Sequence, residues 1–155
     1  MLYTSLSLDF VLKPSTLKEN APLLIMLHGY GSDENDLFSF ATELPEDLFI
    51  VSARAPYTLQ PYGHAWYAIH FDAPQGKWND NEQAKISRDA VSTFIDEVCN
   101  AYPVDPSRVT LLGFSQGTII SLATALSYPR KIKNVVGLSG YLNHELFPEE
   151  IDPES

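Results

Sequence analysis

The sequence predicts an α/β fold with a mainly parallel sheet and helices on both faces. Short apolar, strand-like runs alternate with segments of helical periodicity, a pattern that packs as parallel strands joined by right-handed crossovers. Two Gly-containing segments, "HGYGSDEN" (28–35) and "GFSQG" (113–117), each follow directly on a strand-like run. In open α/β sheets that is where ligands gather. The 155 residues are expected to form one domain, 1–155, since a chain of this size buries roughly 70% of its unfolded surface.

The elements follow in order. At the amino terminus Leu6, Leu8, Phe10 and Leu12 alternate with Ser5, Ser7, Asp9 and Val11, which reads as a half-buried strand. The turn-rich "PSTLKENAP" leads into "LLIMLHG", apolar on both faces as a central parallel strand should be. "DENDLFSFATEL" reads as a helix with Asp33 as N-cap and Leu37, Phe40, Ala41 and Leu44 on one face. "LFIVSARAP" is another short strand, and residues 56 to 81 are expected to be irregular. From Glu82 to Ala101 a long helix is expected, with Ile86, Ala90, Phe94, Ile95, Val98 and Ala101 as its buried stripe. "VTLLGFS" reads as a strand, "GTIISLATALSY" as a helix closed by Pro129, and "NVVGLSG" as a further strand.

Composition narrows the function classes. Ten Lys plus Arg against twenty Asp plus Glu give a net charge of −10, which repels phosphate backbones and anionic lipid heads, so no nucleic-acid partner is expected. Cys99 is the only cysteine, so no internal disulfide forms, and within its helical pattern it reads as a small buried hydrophobe. The opening residues lack a basic stretch followed by a continuous apolar run, and no apolar run approaches about 20 residues, so no membrane span is expected and a cytoplasmic protein is the default. No two of the four histidines have i, i+4 spacing, and no metal site is expected.

Gly113-Phe114-Ser115-Gln116-Gly117 fits Gly-x-Ser-x-Gly, and the flanking residues spell the strand–turn–helix that a nucleophile elbow requires. Glycines at 113 and 117 allow strand and helix to approach closely around a strained serine. A serine hydrolase also needs backbone N–H groups aimed at the developing oxyanion. Gln116, after the serine, is placed to supply one, and "LHGYG" (27–31) is placed to supply the other from the Tyr30 N–H. His28 is read as a prop for that loop through its ring hydrogen bonds.

The segments "LHGYGSDENDL", "SARAPY", "AWY.I" (65–69), "LLGFSQG" and "VVGLSGYL" (135–142) together resemble the carboxylesterase/phospholipase family of α/β-hydrolases, the group containing small bacterial carboxylesterases and acyl-protein thioesterases. The resemblance runs in order over nearly the whole chain. It implies an α/β-hydrolase fold, Ser115 as nucleophile, and Tyr30 and Gln116 as backbone oxyanion donors. Carboxylic esters or thioesters are the implied substrates, with no cofactor. It further implies that the stretch around Trp66 and Tyr67 lines the entrance to the acyl site; from the residues alone, covering the core is an equal alternative.

The same resemblance places the triad acid and histidine on loops beyond "VVGLSG", and the family's "HG..D" and late Gly-His segments do not occur before Ser155. His144, the only histidine after Ser115, lies in a segment the family does not use for catalysis; His64 and His70 read as surface or substrate-facing residues, and Glu145 as a solvated acid without a base. The acid and base are therefore not assigned to any residue, and the chain alone is expected to be nearly inactive. Losing the base costs about 10⁶ in kcat. The expectation is a chain truncated before the last strands and helices, with Val135–Leu138 as an exposed apolar edge strand open to a second chain or a homodimer partner. Completion by another polypeptide and a non-catalytic binding or scaffold relative stay open as alternatives.

Overall fold

The computed structural model describes residues 1–74, 76–151 and 153. Its centre is a five-stranded sheet in the order β1-β3-β2-β8-β9, formed by Phe10–Lys13 (β1), Ala21–Leu27 (β2), Phe49–Ala53 (β3), Val104–Phe114 (β8) and Asn134–Leu138 (β9). β1 runs antiparallel to β3 and every other pairing is parallel. β2 sits in the middle with all seven residues buried, as its unbroken apolar run requires.

Alternation along the strands sends two sets of side chains to opposite faces. On one face Leu23, Ile25 and Leu27 join Phe49, Val51, Val109 and Leu111, and against them pack both long helices, Asn81–Ala101 (α1) and Gln116–Ser127 (α2). On the other face Leu24, Met26 and Ile50 pack with Leu37 and Ala41 of the 3-10 helix Leu37–Glu43, with Leu44, Leu48 and Leu112 at the margin. The expectation of helices on both faces is thus met by a single short turn on the second face, and the far side of β8 and β9 stays open, with Leu112 half-buried and Val136 and Leu138 45% and 44% exposed.

Four expectations are corrected. The first strand is confined to Phe10–Lys13, and Val11 is buried along with Phe10 because β1 pairs with β3 and both of its faces are covered there. The segment expected as an α-helix is 3-10: its N-cap is Asp36 rather than Asp33, and Phe40 is 59% exposed, since only Leu37 and Ala41 are buried against the sheet. Residues 56–81 are not irregular; they form two small antiparallel hairpins, Tyr57–Thr58 (β4) with His64–Ala65 (β5), and Ile69–Ala73 (β6) with Gly76–Asn79 (β7). In α1 the buried stripe is Ala84, Ser87, Val91, Ser92, Phe94, Ile95 and Val98, leaving Ile86 60% exposed and Ala101 in solvent. Ser87 takes the inward position because its hydroxyl donates to the Trp66 carbonyl. The buried polar residues of α2 are satisfied in the same way: Ser121 and Thr124 donate one turn back to Gly117 and Ile120, each at 2.7 Å.

Candidate active site

The segment between β8 and α2 is a sharp elbow. Ser115 has φ 52° and ψ −113°, a left-handed conformation that a side chain adopts only under strain. Its glycine neighbours make the elbow sterically feasible. A Cβ on Gly117 would stand 1.9 Å from the Leu27 carbonyl oxygen, and one on Gly113 would stand 2.5 Å from the Gly117 carbonyl carbon. The helix thus begins in direct contact with the end of β2 and with the strand it has just left.

The elbow is fastened to its surroundings by a few bonds. The Ser115 N–H donates to the Leu138 carbonyl at 2.8 Å, and the Thr118 hydroxyl donates to the same carbonyl while accepting from the Leu138 N–H. Thr118 carries no chemical motif, and the sequence reading missed it. The Gln116 side chain is buried and bonded at both ends: Oε1 accepts from the Trp66 N–H at 2.7 Å and Nε2 donates to the Tyr67 carbonyl at 2.8 Å.

The loop after β2 reaches the elbow. A Cβ on Gly29 would lie 3.6 Å from Ser115 Cβ, so the "LHGYG" loop borders the serine. Among the described residues, neither the Tyr30 N–H nor the Gln116 N–H has a hydrogen-bond partner, the latter being a first-turn amide that no helical carbonyl can reach. His28 is fully buried. Its Nε2 accepts from the Ala55 N–H at 3.0 Å, so Nδ1 carries the proton and donates to the Gly29 carbonyl at 2.8 Å. Burial pushes the imidazole below its ordinary value and keeps it neutral. With both ring nitrogens engaged away from Ser115, His28 braces the loop, as the sequence reading held.

Trp66 and Tyr67 require a correction. They are 0% and 1% exposed; the Trp66 indole donates to the His28 carbonyl at 2.8 Å, and burial pushes the Tyr67 phenol well above its usual range. They cover the core and support the elbow instead of lining an entrance. Exposed apolar side chains in or next to the elbow, the glycine loop and the end of β9 include Tyr30, Phe114, Leu138, Tyr141 and Leu142.

The remaining candidates lie apart from the serine hydroxyl. No described side chain is hydrogen-bonded to it. His64 exchanges backbone bonds with Gly31 and Ser32, the His70 ring stacks on Trp78 at 4.1 Å, and His144 lies edge-on to Phe147 at 5.1 Å. Glu145 accepts from the Asn81 amide. Cys99 is half-buried, and burial raises its thiol, which disfavours the reactive thiolate. Among the described residues no three His, Cys, Asp or Glu converge as metal ligands, and no helix is long and apolar enough to cross a membrane.

A parallel sheet, a glycine-flanked serine at the carboxyl end of a strand and a second glycine loop beside it define an α/β-hydrolase. The pattern of the Phospholipase/Carboxylesterase family matches residues 10–150, and the chain belongs to that family. Esterase YpfH of Escherichia coli is 29% identical over 140 residues, covering 85% of this chain and 57% of its own. Acyl-protein thioesterase 1 of Aspergillus fumigatus is 45% identical over 143 residues, covering 81% and 57%. In architecture the chain resembles a carboxylesterase from Mesorhizobium loti, with a TM-score of 0.78 at 21% identity, over 97% of this chain and 68% of that one. The chain thus spans about three fifths of the length of these curated relatives.

Proposed function

We propose that the protein hydrolyses carboxylic esters or thioesters through an acyl-serine on Ser115. The observation that carries this reading is the strained elbow beside a loop whose Tyr30 N–H, like that of Gln116, has no partner among the described residues. Ser115 Oγ attacks the acyl carbonyl, and its proton passes to a base. The oxyanion accepts from the Tyr30 and Gln116 amides, the alcohol or thiol leaves, and water releases the acid. No step draws on a cofactor. The substrate is a small acyl ester or thioester, in keeping with relatives named esterase and acyl-protein thioesterase.

The triad acid and histidine are not assigned to any of these 155 residues, and the chain by itself is expected to retain only the about 10³–10⁴ over water that oxyanion donors and binding supply. The exposed strand Val135–Leu138 is the edge at which a second chain or a homodimer partner would extend the sheet. A panel of p-nitrophenyl esters and acyl thioesters of increasing chain length, assayed with the protein purified from its own cells and with its Ser115→Ala variant, tests the reading. Hydrolysis lost in the variant supports it, and hydrolysis equal in both refutes it.

A further inference from the structure

The loop of residues 29–36 carries the Tyr30 amide, and what holds that loop in place bears on catalysis if the proposed chemistry is right. One end is fixed by the His28 ring. Its middle is fixed by the Gly31 N–H on the His64 carbonyl and the His64 N–H on the Ser32 carbonyl, both 2.9 Å. The far end runs into the 3-10 helix, whose Leu37 and Ala41 are buried on the sheet, and just before it the loop is fixed by a charge. Glu34 is a carboxylate whose side chain is only 4% exposed, and both of its oxygens are taken by one guanidinium: Arg54 Nε reaches Oε2 and Nη2 reaches Oε1, each at 2.7 Å. The Arg54 guanidinium holds the Glu34 carboxyl below the usual carboxylate range. Arg54 follows directly on β3; its N–H donates to the Asp9 carbonyl at 2.8 Å, and its Nη1 lies 3.6 Å from the Asp9 carboxylate.

A fork-on-fork pair of this kind fixes two planes and a distance at once, which an apolar contact does not. In stability alone such a buried pair often does no better than apolar residues of the same volume. It clamps the stretch between the His64 backbone bonds and the 3-10 helix to the end of β3, and the fixed geometry of the fork points to placement rather than to stability. Neither side chain is bonded to the serine or to either proposed oxyanion amide.

We propose that Glu34 and Arg54 are positioning residues that set where the Tyr30 N–H stands relative to Ser115. The inference rests on the oxyanion role of Tyr30. The pair is joined to the sheet through Arg54 and to the loop through Glu34, so removing it loosens the loop against its remaining His28 and His64 bonds while leaving the elbow, the sheet and the buried His28 in place.

The test uses the full protein and two variants. The double variant Glu34→Met/Arg54→Met replaces the pair by apolar side chains of similar length and keeps the fold. Arg54→Lys keeps the charge and gives up the fork. Amide hydrogen exchange is followed at Gly31 and Ser32, with Ile119 on the elbow as a control, alongside ester hydrolysis. The expected result is exchange at least tenfold faster at Gly31 and Ser32, unchanged at Ile119, in the double variant and to a lesser degree in Arg54→Lys. Misplacing the donor by about 1 Å lowers kcat about 10²-fold with KM unchanged. Wild-type exchange at Gly31 and Ser32 in a folded double variant would overturn the proposal, as would a loss confined to KM. Wild-type protein purified from its own cells that hydrolyses no ester or thioester would count against the proposed function alone, because the exchange measurement still decides whether the pair holds the loop.

Discussion

Gly117→Ala tests the elbow by the contact on which it depends. The added Cβ would meet the Leu27 carbonyl oxygen at 1.9 Å, the Leu27 carbonyl carbon at 2.6 Å and the His28 carbonyl oxygen at 2.7 Å. All three are backbone atoms at the end of the central strand, which is paired on both sides and cannot yield. The first turn of α2 must therefore retreat by roughly 1 Å, an overpacking that costs about 1–3 kcal/mol. The retreat carries Gln116 away from Trp66 and Tyr67 and weakens two buried hydrogen bonds, each worth about 1 kcal/mol net. The sum is about 4 kcal/mol, or roughly 8–16 °C in Tm for a chain of this size. Gly31→Ala is the matched control. Gly31 has a left-handed φ of 79°, which Gly117 in the helix does not, but nothing lies within 4 Å of an added Cβ, so only the backbone penalty of about 1–2 kcal/mol applies. Urea unfolding followed by tryptophan fluorescence, in which Trp66 reports the core, measures both. Equal losses in the two variants would refute the reasoning.

Other expectations follow from the same contacts. Gln116→Met keeps the volume but leaves the Trp66 N–H and the Tyr67 carbonyl unpaired, so a destabilisation of about 2–6 kcal/mol is expected in the same unfolding assay. The His28 imidazole is held below its ordinary value by burial, so the unfolded chain binds more protons near that value. Stability is fully present above about pH 6.5 and is expected to fall as pH drops below it. Nitrogen chemical shifts of the ring check the same state and should show a neutral imidazole protonated on Nδ1 at pH 6.5. Val136→Lys places a charge on the open edge strand and should lower concentration-dependent self-association in sedimentation velocity without moving Tm by more than a few degrees.

The parts legible in the sequence are those whose physics is local. β2 announces itself by an unbroken apolar run, β8 only from Val109 because Asp105, Pro106, Ser107 and Arg108 disguise its first half, α1 and α2 by helical spacing, and the elbow by two glycines that each prevent a backbone collision. The missed parts depend on distant partners. The burial of Trp66 and Tyr67 rests on Gln116, about fifty residues along the chain, whose amide satisfies their backbone and lets an aromatic loop fold inward. Glu34 and Arg54 look like two ordinary surface charges until β3 brings them together; the one signal available was a lone arginine closing an apolar strand. The 3-10 turn departs from a helix because only two of its side chains find the sheet, too few for the periodic stripe to decide the conformation. Ile86 was overvalued for its hydrophobicity, while Ser87 won the inward position by its hydrogen bond.

The most direct test of Ser115 as the nucleophile is covalent labelling of the protein from its own cells with a fluorophosphonate, followed by intact mass and peptide mapping. One adduct is expected, on the peptide that contains Ser115, and absent in Ser115→Ala; the isolated 155-residue chain should label far more slowly. An adduct that persists in Ser115→Ala, or ester hydrolysis by a protein that never labels at Ser115, would contradict the account.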